Sequence, residues 1–382
     1  MKLITEIKTV KNMKTMEQEK IKERLYSLDT LRGFDMFWII GGGLLLQTLA
    51  NFTNWHWLNV LAEQTHHVKW SGFHFNDLIF PLFMFISGVA IPYALISKIE
   101  KGESKITLFK KIFRRMILLI IFGFIYNGML KNGFHNLRFA SVLAQIGIAY
   151  FFAALIAINT KSLKSRLLWI VGILAFIAFA QFFVKIGEYG GNFIPDKSIN
   201  AWVDQHFLFG KLYDKTFDPE GLLCIISAVS VTLMGTIAGT VLRNKEYNQS
   251  RKTVILFVMG TVLILLALSL SPVYPIIKKM WTVPFDLLAA GISVSLLAIF
   301  YFIIDVKKKR NWIFFFQVIG MNSITIYLGR KIIDFGHPAR FLMGWTVPAF
   351  GDISNIILII TSLALEWLLL YYFYKKKIFL KV

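Results

Sequence analysis

DLIFPLFMFISGVAIPYALIS, residues 77–97, carries one charge, on its first residue, and then twenty positions without another. Some twenty apolar residues in helical form span the roughly 30 Å hydrocarbon layer of a bilayer, so this stretch reads as a transmembrane helix. Similar apolar runs lie near 33–50, 112–130, 139–159, 167–186, 221–242, 253–271, 283–304, 312–329 and 353–374. The expected fold is therefore all-α: a polytopic membrane protein, a bundle of about ten transmembrane helices. Composition agrees, because 382 residues with 56% hydrophobic residues, 36 Phe and only 17% charged residues exclude a soluble domain of this size.

A net charge of +20 raises the question of nucleic acid. The cations, however, fall in short links between apolar runs rather than in one patch interleaved with aromatics. The N-terminal segment through Arg32, the links at 98–111, 160–166, 243–252 and 305–311, Arg114, Arg115 and the C-terminal tail hold 30 of the 42 Lys and Arg. Under the positive-inside rule this alternation places both termini in the cytoplasm and explains the charge without nucleic acid. The organisation expected is a cytoplasmic tail over 1–26, a transmembrane domain over 27–374 and a basic cytoplasmic tail over 375–382, with an uncleaved signal anchor at the first span. The one cysteine, Cys224, lies in an apolar run, so no internal disulfide forms.

The larger polar segments alternate to the external side, where a rigid scaffold would carry functional loops. Ionisable groups in or at the mouth of spans are costly and become candidates by default. His67 supplies an imidazole, the side chain type suited to proton transfer near neutral pH, and Asp77, ten residues on, begins a span as a helix cap, as the partner that orients His67 or as a site for a cationic substrate amine. Trp70, between them, adds an aromatic face. The histidines His66, His67 and His74 match no common zinc spacing, so no metal is expected. Asp218 and Glu220 open the sixth span, serving the helix dipole or binding a protonated amine or sugar hydroxyls. Lys278, Lys279 and Trp281 precede the eighth span and offer cations and an aromatic face, with Lys279 and Trp281 expected at the acceptor, and Asn322 stands in mid-span, where its amide must bond to another helix or a ligand. On the cytoplasmic side, Asp29 and Arg32 share a helix face, as a surface ion pair or as an anchor for a phosphate-bearing cofactor. Arg114 and Arg115 extend that basic face. Gly41-Gly42-Gly43 permits close helix approach.

Taken in order, these pieces resemble the heparan-α-glucosaminide N-acetyltransferase family and its bacterial relatives, in the transmembrane acyltransferase superfamily. The matching residues are Ser27-Leu28-Asp29-Thr30-Leu31-Arg32-Gly33, then His67, Trp70, Gly72, Asp77-Leu78, Phe80-Pro81, Phe83, Phe85 and Gly88. They continue with Arg138, Leu143 and Gly147, with Asp218-Pro219-Glu220-Gly221, with Lys279, Trp281-Thr282, and with Gly320-Met321-Asn322-Ser323. The resemblance implies an acetyl-CoA-dependent N-acetyltransferase that moves acetyl from the cytoplasmic side to the amino group of a glucosamine-type sugar on the external side. It implies His67 as general base or transient acetyl carrier, and a multi-pass protein of the bacterial inner membrane. Imidazole suits either role, since an amine attacks a thioester only when unprotonated.

Where that family commonly has an arginine in the fourth span, this chain has Gln145 in Ala144-Gln145-Ile146-Gly147. The role of that arginine is not carried over. Two other classes stay open on the residues alone. One is a transporter of a sugar or sugar derivative, with Asn127, Gln145 and Asn322 along its path, although no internal repeat is evident. The other is an O-acetyltransferase of polysaccharide or lipid. The oligomeric state also stays open, a homodimer included.

Overall fold

In the computed structural model residues 25–134, 136–160 and 162–380 are described, so most of the expected N-terminal tail lies outside them. The described residues form helices and three isolated bridges, with no strand. The protein is a polytopic helical membrane protein. Eight helices are long and apolar enough to cross a bilayer. The first is α1 (Tyr26–Phe37), joined through a π-turn at Trp38–Gly42 to α2 (Gly43–Thr53). A short α3 (His56–Glu63) follows, then α4 (Phe75–Ile91), which continues to Glu100. After α5 (Lys105–Tyr126) come α6 (Val142–Asn159), α7 (Leu163–Phe183) and a short α8 (Ile199–Phe207). Next are α9 (Leu222–Arg243), α10 (Gln249–Leu270) and α11 (Val283–Phe300). The chain ends with α12 (Ile313–Met321), α13 (Ser323–Ile332), α14 (Gly336–Met343), α15 (Thr346–Phe350) and α16 (Ile353–Lys375).

The expected third and ninth spans are the two not among the eight, for different reasons. α5 is 22 residues long, but its first half carries Lys110, Lys111, Arg114 and Arg115. The ninth run breaks at Asn322 into α12 and α13, nine and ten residues long. A broken helix at membrane depth is tolerated where protein or a cavity meets the freed backbone groups.

α9 forms the hub, with 78% of its most apolar stretch buried, whereas α16 at the rim has 17%. Apolar burial alone does not bring helices together in lipid, so close backbone approach matters. A Cβ on Gly88 of α4 would sit 2.0 Å from the Thr232 carbonyl oxygen of α9, and one on Gly235 would sit 2.2 Å from that of Phe85. The same device joins α1 to α12, where a Cβ on Gly33 would collide with the Phe316 carbonyl at 1.7 Å. Gly41 has another use. Its φ of +142° breaks the first span at the π-turn, and the Ile39 carbonyl accepts a 2.9 Å hydrogen bond from Arg330.

Candidate functional site

The segment leading into α4 is held by short-range bonds. Gln64 accepts from Phe75 through its side chain (3.2 Å) and from Asn76 through its carbonyl (2.9 Å). Gly72, at φ +123°, turns its N–H to the Ile276 carbonyl, 2.9 Å away, which ties this segment to the one carrying Lys278. Asp77 then begins α4 with both carboxylate oxygens used. Its Oδ2 accepts from the backbone N–H of His74 (3.1 Å) and Val68 (3.3 Å), while Oδ1 lies 2.7 Å from His67 Nδ1 and 3.3 Å from Lys278 Nζ. Asp77 thus caps the helix and orients the histidine at once.

The His67 side chain is 57% exposed, whereas that of Asp77 is 2% exposed. Asn76 Nδ2 lies 3.3 Å from His67 Nε2, and Lys278 Nζ lies 3.1 Å from Nδ1. In the tautomer that keeps the shortest of these contacts, Nδ1–H donates to Asp77 and the Nε2 lone pair accepts from Asn76, so the Lys278 ammonium beside Nδ1 bonds to Asp77 and not to the ring. That is the arrangement of an imidazole oriented by a carboxylate, at whose basic nitrogen an incoming amine would take the place of Asn76. Burial lowers the Lys278 pKa, and the neighbouring Asp77 charge offsets part of that. The sequence offers Lys278 and Lys279 as adjacent cations and gives no ground to prefer Lys278 for the site over Lys279, which was the one expected there. Only the register of the short 3₁₀ turn Lys278–Met280 separates the two, for Lys279 Nζ turns to Asp214 at 3.7 Å and to the Phe217 ring.

The other expected acceptor-binding residues fare differently. Trp70 donates from Nε1 to the Phe193 carbonyl (2.8 Å) and meets Phe217 edge-on, so it joins two segments that lie between the long helices. Asp218 is closed. Arg138 grips it through Nε at 2.7 Å and Nη2 at 2.5 Å, also contacts Glu220, and leaves the Asp218 side chain with no exposure. Of the uses expected there, the helix dipole or a protonated amine or sugar hydroxyls, the ligand-binding ones would need an accessible carboxylate, and Asp218 is instead closed in an ion pair with Arg138. Although burial works to lower it, the Arg138 pKa is raised by the hydrogen bond to Asp218 and the charge of Glu220. Glu220 remains 12% exposed, its pKa raised by burial against the pull of Arg138. Beneath them, Asp204 accepts from the N–H groups of Asp218 (3.0 Å) and Leu222 (3.1 Å), and burial pushes its pKa up to about 7. Trp281 is 1% exposed and packs edge-on against Phe80 and Phe285, so it presents no face to a sugar.

Asn322, expected beside the acceptor, shares a cavity with two of the residues expected at the cofactor. It lines a cavity of about 330 Å³ with Arg32, Arg115, Ser87 and the first turn of α13. Asn322 is 2% exposed, and neither its Nδ2 nor its Oδ1 has a hydrogen-bond partner. Arg32 pairs with Asp29 at 3.6 Å, and the Arg115 guanidinium lies over the Tyr150 ring at 4.1 Å. Arg114 is exposed and does not line this cavity. Two guanidiniums, an unsatisfied amide and a helix N-terminus suit a polar ligand bearing negative charge. Gln145 donates to the Cys224 carbonyl at 3.0 Å, which ties α6 to α9.

Residues 24–213 match a family described as a domain of unknown function (DUF5009). Heparan-alpha-glucosaminide N-acetyltransferase of Mus musculus is 26% identical over 94% of this chain, and that of Homo sapiens is 25% identical over 96%. The chain is a relative of these acetyltransferases. It spans about three-fifths of their length, covering 60% and 61% of the two proteins.

Proposed function

We propose that the chain is a membrane acetyltransferase. It takes acetyl from acetyl-CoA on the side of the basic links and transfers it to the amino group of a glucosamine-type sugar on the side of His67. The observation that carries this reading is the His67–Asp77 pair, 2.7 Å apart at the start of α4 with the His67 side chain 57% exposed, in a chain related to proteins named for N-acetyl transfer.

In this reading Asp77 holds the ring, Lys278 balances the Asp77 charge, and His67 Nε2 takes the proton as the amine nitrogen bonds to the thioester carbonyl carbon. The carbon–sulfur bond breaks, and the sulfur takes that proton from Nε2 as the thiol leaves, which returns the imidazole to its neutral form. Base catalysis of this kind contributes roughly 10² to 10⁴-fold. Arg32, Arg115 and Asn322 would hold the polar part of acetyl-CoA, which supplies the activated acetyl group. Phe83, which lines that cavity, lies six residues from Asp77 along α4, about 9 Å of helix rise. The donor and acceptor sides thus share one helix. The topology that serves this is ten crossings, with α5 and the α12–α13 pair added to the eight, and both termini on the cytoplasmic side of a bacterial inner membrane.

The test is transfer of radiolabelled acetyl from acetyl-CoA to glucosamine by purified protein in detergent, beside His67→Ala. Label on the sugar that falls about 10³-fold in the variant, with an unchanged melting temperature, is the expected result. Sugar uptake into vesicles without any acetylated product would replace the enzyme with a transporter, and label on hydroxyls alone would replace N-acetylation with O-acetylation.

A further inference from the structure

A second, larger cavity lies on the His67 side of the bundle, on another face of α2. Gln47 of α2 donates to Thr65 at 2.8 Å, next to the His67 segment. Leu44, Thr48 and Asn51 of the same helix instead line a space of about 830 Å³ shared with α13, α14 and α16. Its mouth is polar, with Asn51, Asp334, Arg340 and Asp352, and its floor is apolar, with Ile40, Leu44, Leu358, Ile359 and Leu363. Eleven residues of α16 separate Asp352 from Leu363, about 16 Å of rise and close to the hydrocarbon depth of one leaflet.

The charges at the mouth are mixed. Arg330 is fixed by Glu366 (3.1 Å) and by the Ile39 carbonyl freed at the π-turn. Among the described residues the Arg340 guanidinium and the Asp352 carboxylate enter no ion pair or hydrogen bond. Beside the mouth, α14 and the turn after it expose Phe341 (86%) and Trp345 (61%), the large amphipathic and apolar side chains that settle at a membrane interface. An apolar slot one leaflet deep, with both signs of charge at its rim and an interfacial helix beside it, matches an amphiphile whose headgroup carries both signs.

We propose that this crevice holds a zwitterionic phospholipid of the ethanolamine type. Its phosphate meets Arg340 and Arg330, its ammonium meets Asp352 and Asp334, and one acyl chain lies along Leu358, Ile359 and Leu363. Arginine favours phosphate through paired N–H donors, and a carboxylate pair selects the ammonium over a neutral glycerol headgroup. The site is independent of the acetyl-transfer reading, since none of its residues touches His67, Asp77 or Lys278.

The test is native mass spectrometry of the full chain released from nanodiscs made of equal parts dioleoyl phosphatidylethanolamine and dioleoyl phosphatidylglycerol. The expected result is one retained phosphatidylethanolamine per chain. Retention should fall about tenfold in Arg340→Ala/Asp352→Asn, one charge-assisted hydrogen bond's worth, and also in Ser362→Phe, which fills the slot without touching the charges. Melting temperatures of both variants, measured in detergent, separate loss of lipid from loss of fold. Equal retention of the two lipids, no retained lipid, retention unchanged in the two folded variants, or a lipid-free dimer closing the crevice would each overturn the proposal.

Discussion

Asp77 and Asp218 both stand at the start of a buried transmembrane helix on one side of the bundle, and both are almost wholly buried, yet they are built for different work. Asp77 shares its oxygens among two backbone N–H groups, an imidazole that is 57% exposed and Lys278. Asp218 is gripped by Arg138, itself 19% exposed, and accepts from the N–H groups of Tyr213 and Glu220. The partner decides. A carboxylate that passes its influence to a half-open histidine can serve chemistry, whereas one closed by a guanidinium serves folding, because a buried ion pair is strongly destabilised when one member is removed.

Four measurements sharpen or break that contrast. Arg138→Met should cost the most, about 3–5 kcal/mol of stability, by leaving Asp218 and Glu220 uncompensated. A thermal or denaturant midpoint left unchanged would place the pair outside the fold's support. Asp77→Asn should reduce acetyl transfer on the order of 100-fold, with a loss of stability that combines about 1 kcal/mol of helix capping with the uncompensated charge of Lys278; an unchanged rate in the folded variant would make Asp77 structural alone.

Asp204, beneath the Asp218 turn, has its pKa pushed up to about 7 by burial. A carboxyl whose folded value exceeds its unfolded value of about 3.9 binds its proton more tightly when folded, so its stabilising contribution is complete in acid and is lost as pH rises towards 7. Lowering pH from 8 to 5 should therefore raise stability by about 2 kcal/mol through this group, and Asp204→Asn should flatten that dependence in a melting series. The smallest effect is expected for Lys278→Met, about tenfold in rate from one lost contact to a charged group, with Lys278→Arg retaining most of the activity. A Lys278→Met enzyme with the parent's rate would restrict the site to His67 and Asp77.

The His67–Asp77 pair is legible in the sequence because its members are close along the chain and one is the only charge in a long apolar run. Asn322 is legible as a buried amide but not by its company, since Arg32 and Arg115 reach it from helices almost 300 and just over 200 residues earlier in the chain. Trp281 reads as an aromatic platform next to a lysine, and its complete burial depends on Phe80 and Phe285. Asp218 and Glu220 look open for the same reason: their partner Arg138 is 80 residues away.

The apolar runs by themselves determined a helical membrane protein, since a backbone in lipid must satisfy its own hydrogen bonds and a helix does so locally. The order of short motifs determined the relationship to the acetyltransferases. Tertiary structure alone decided which buried carboxylate faces a histidine and which an arginine, which of two adjacent lysines joins the site, and where the ninth run breaks. Those outcomes turn on distances between side chains far apart in the chain, and in a low-dielectric interior a few ångströms separate a compensated charge from a costly one.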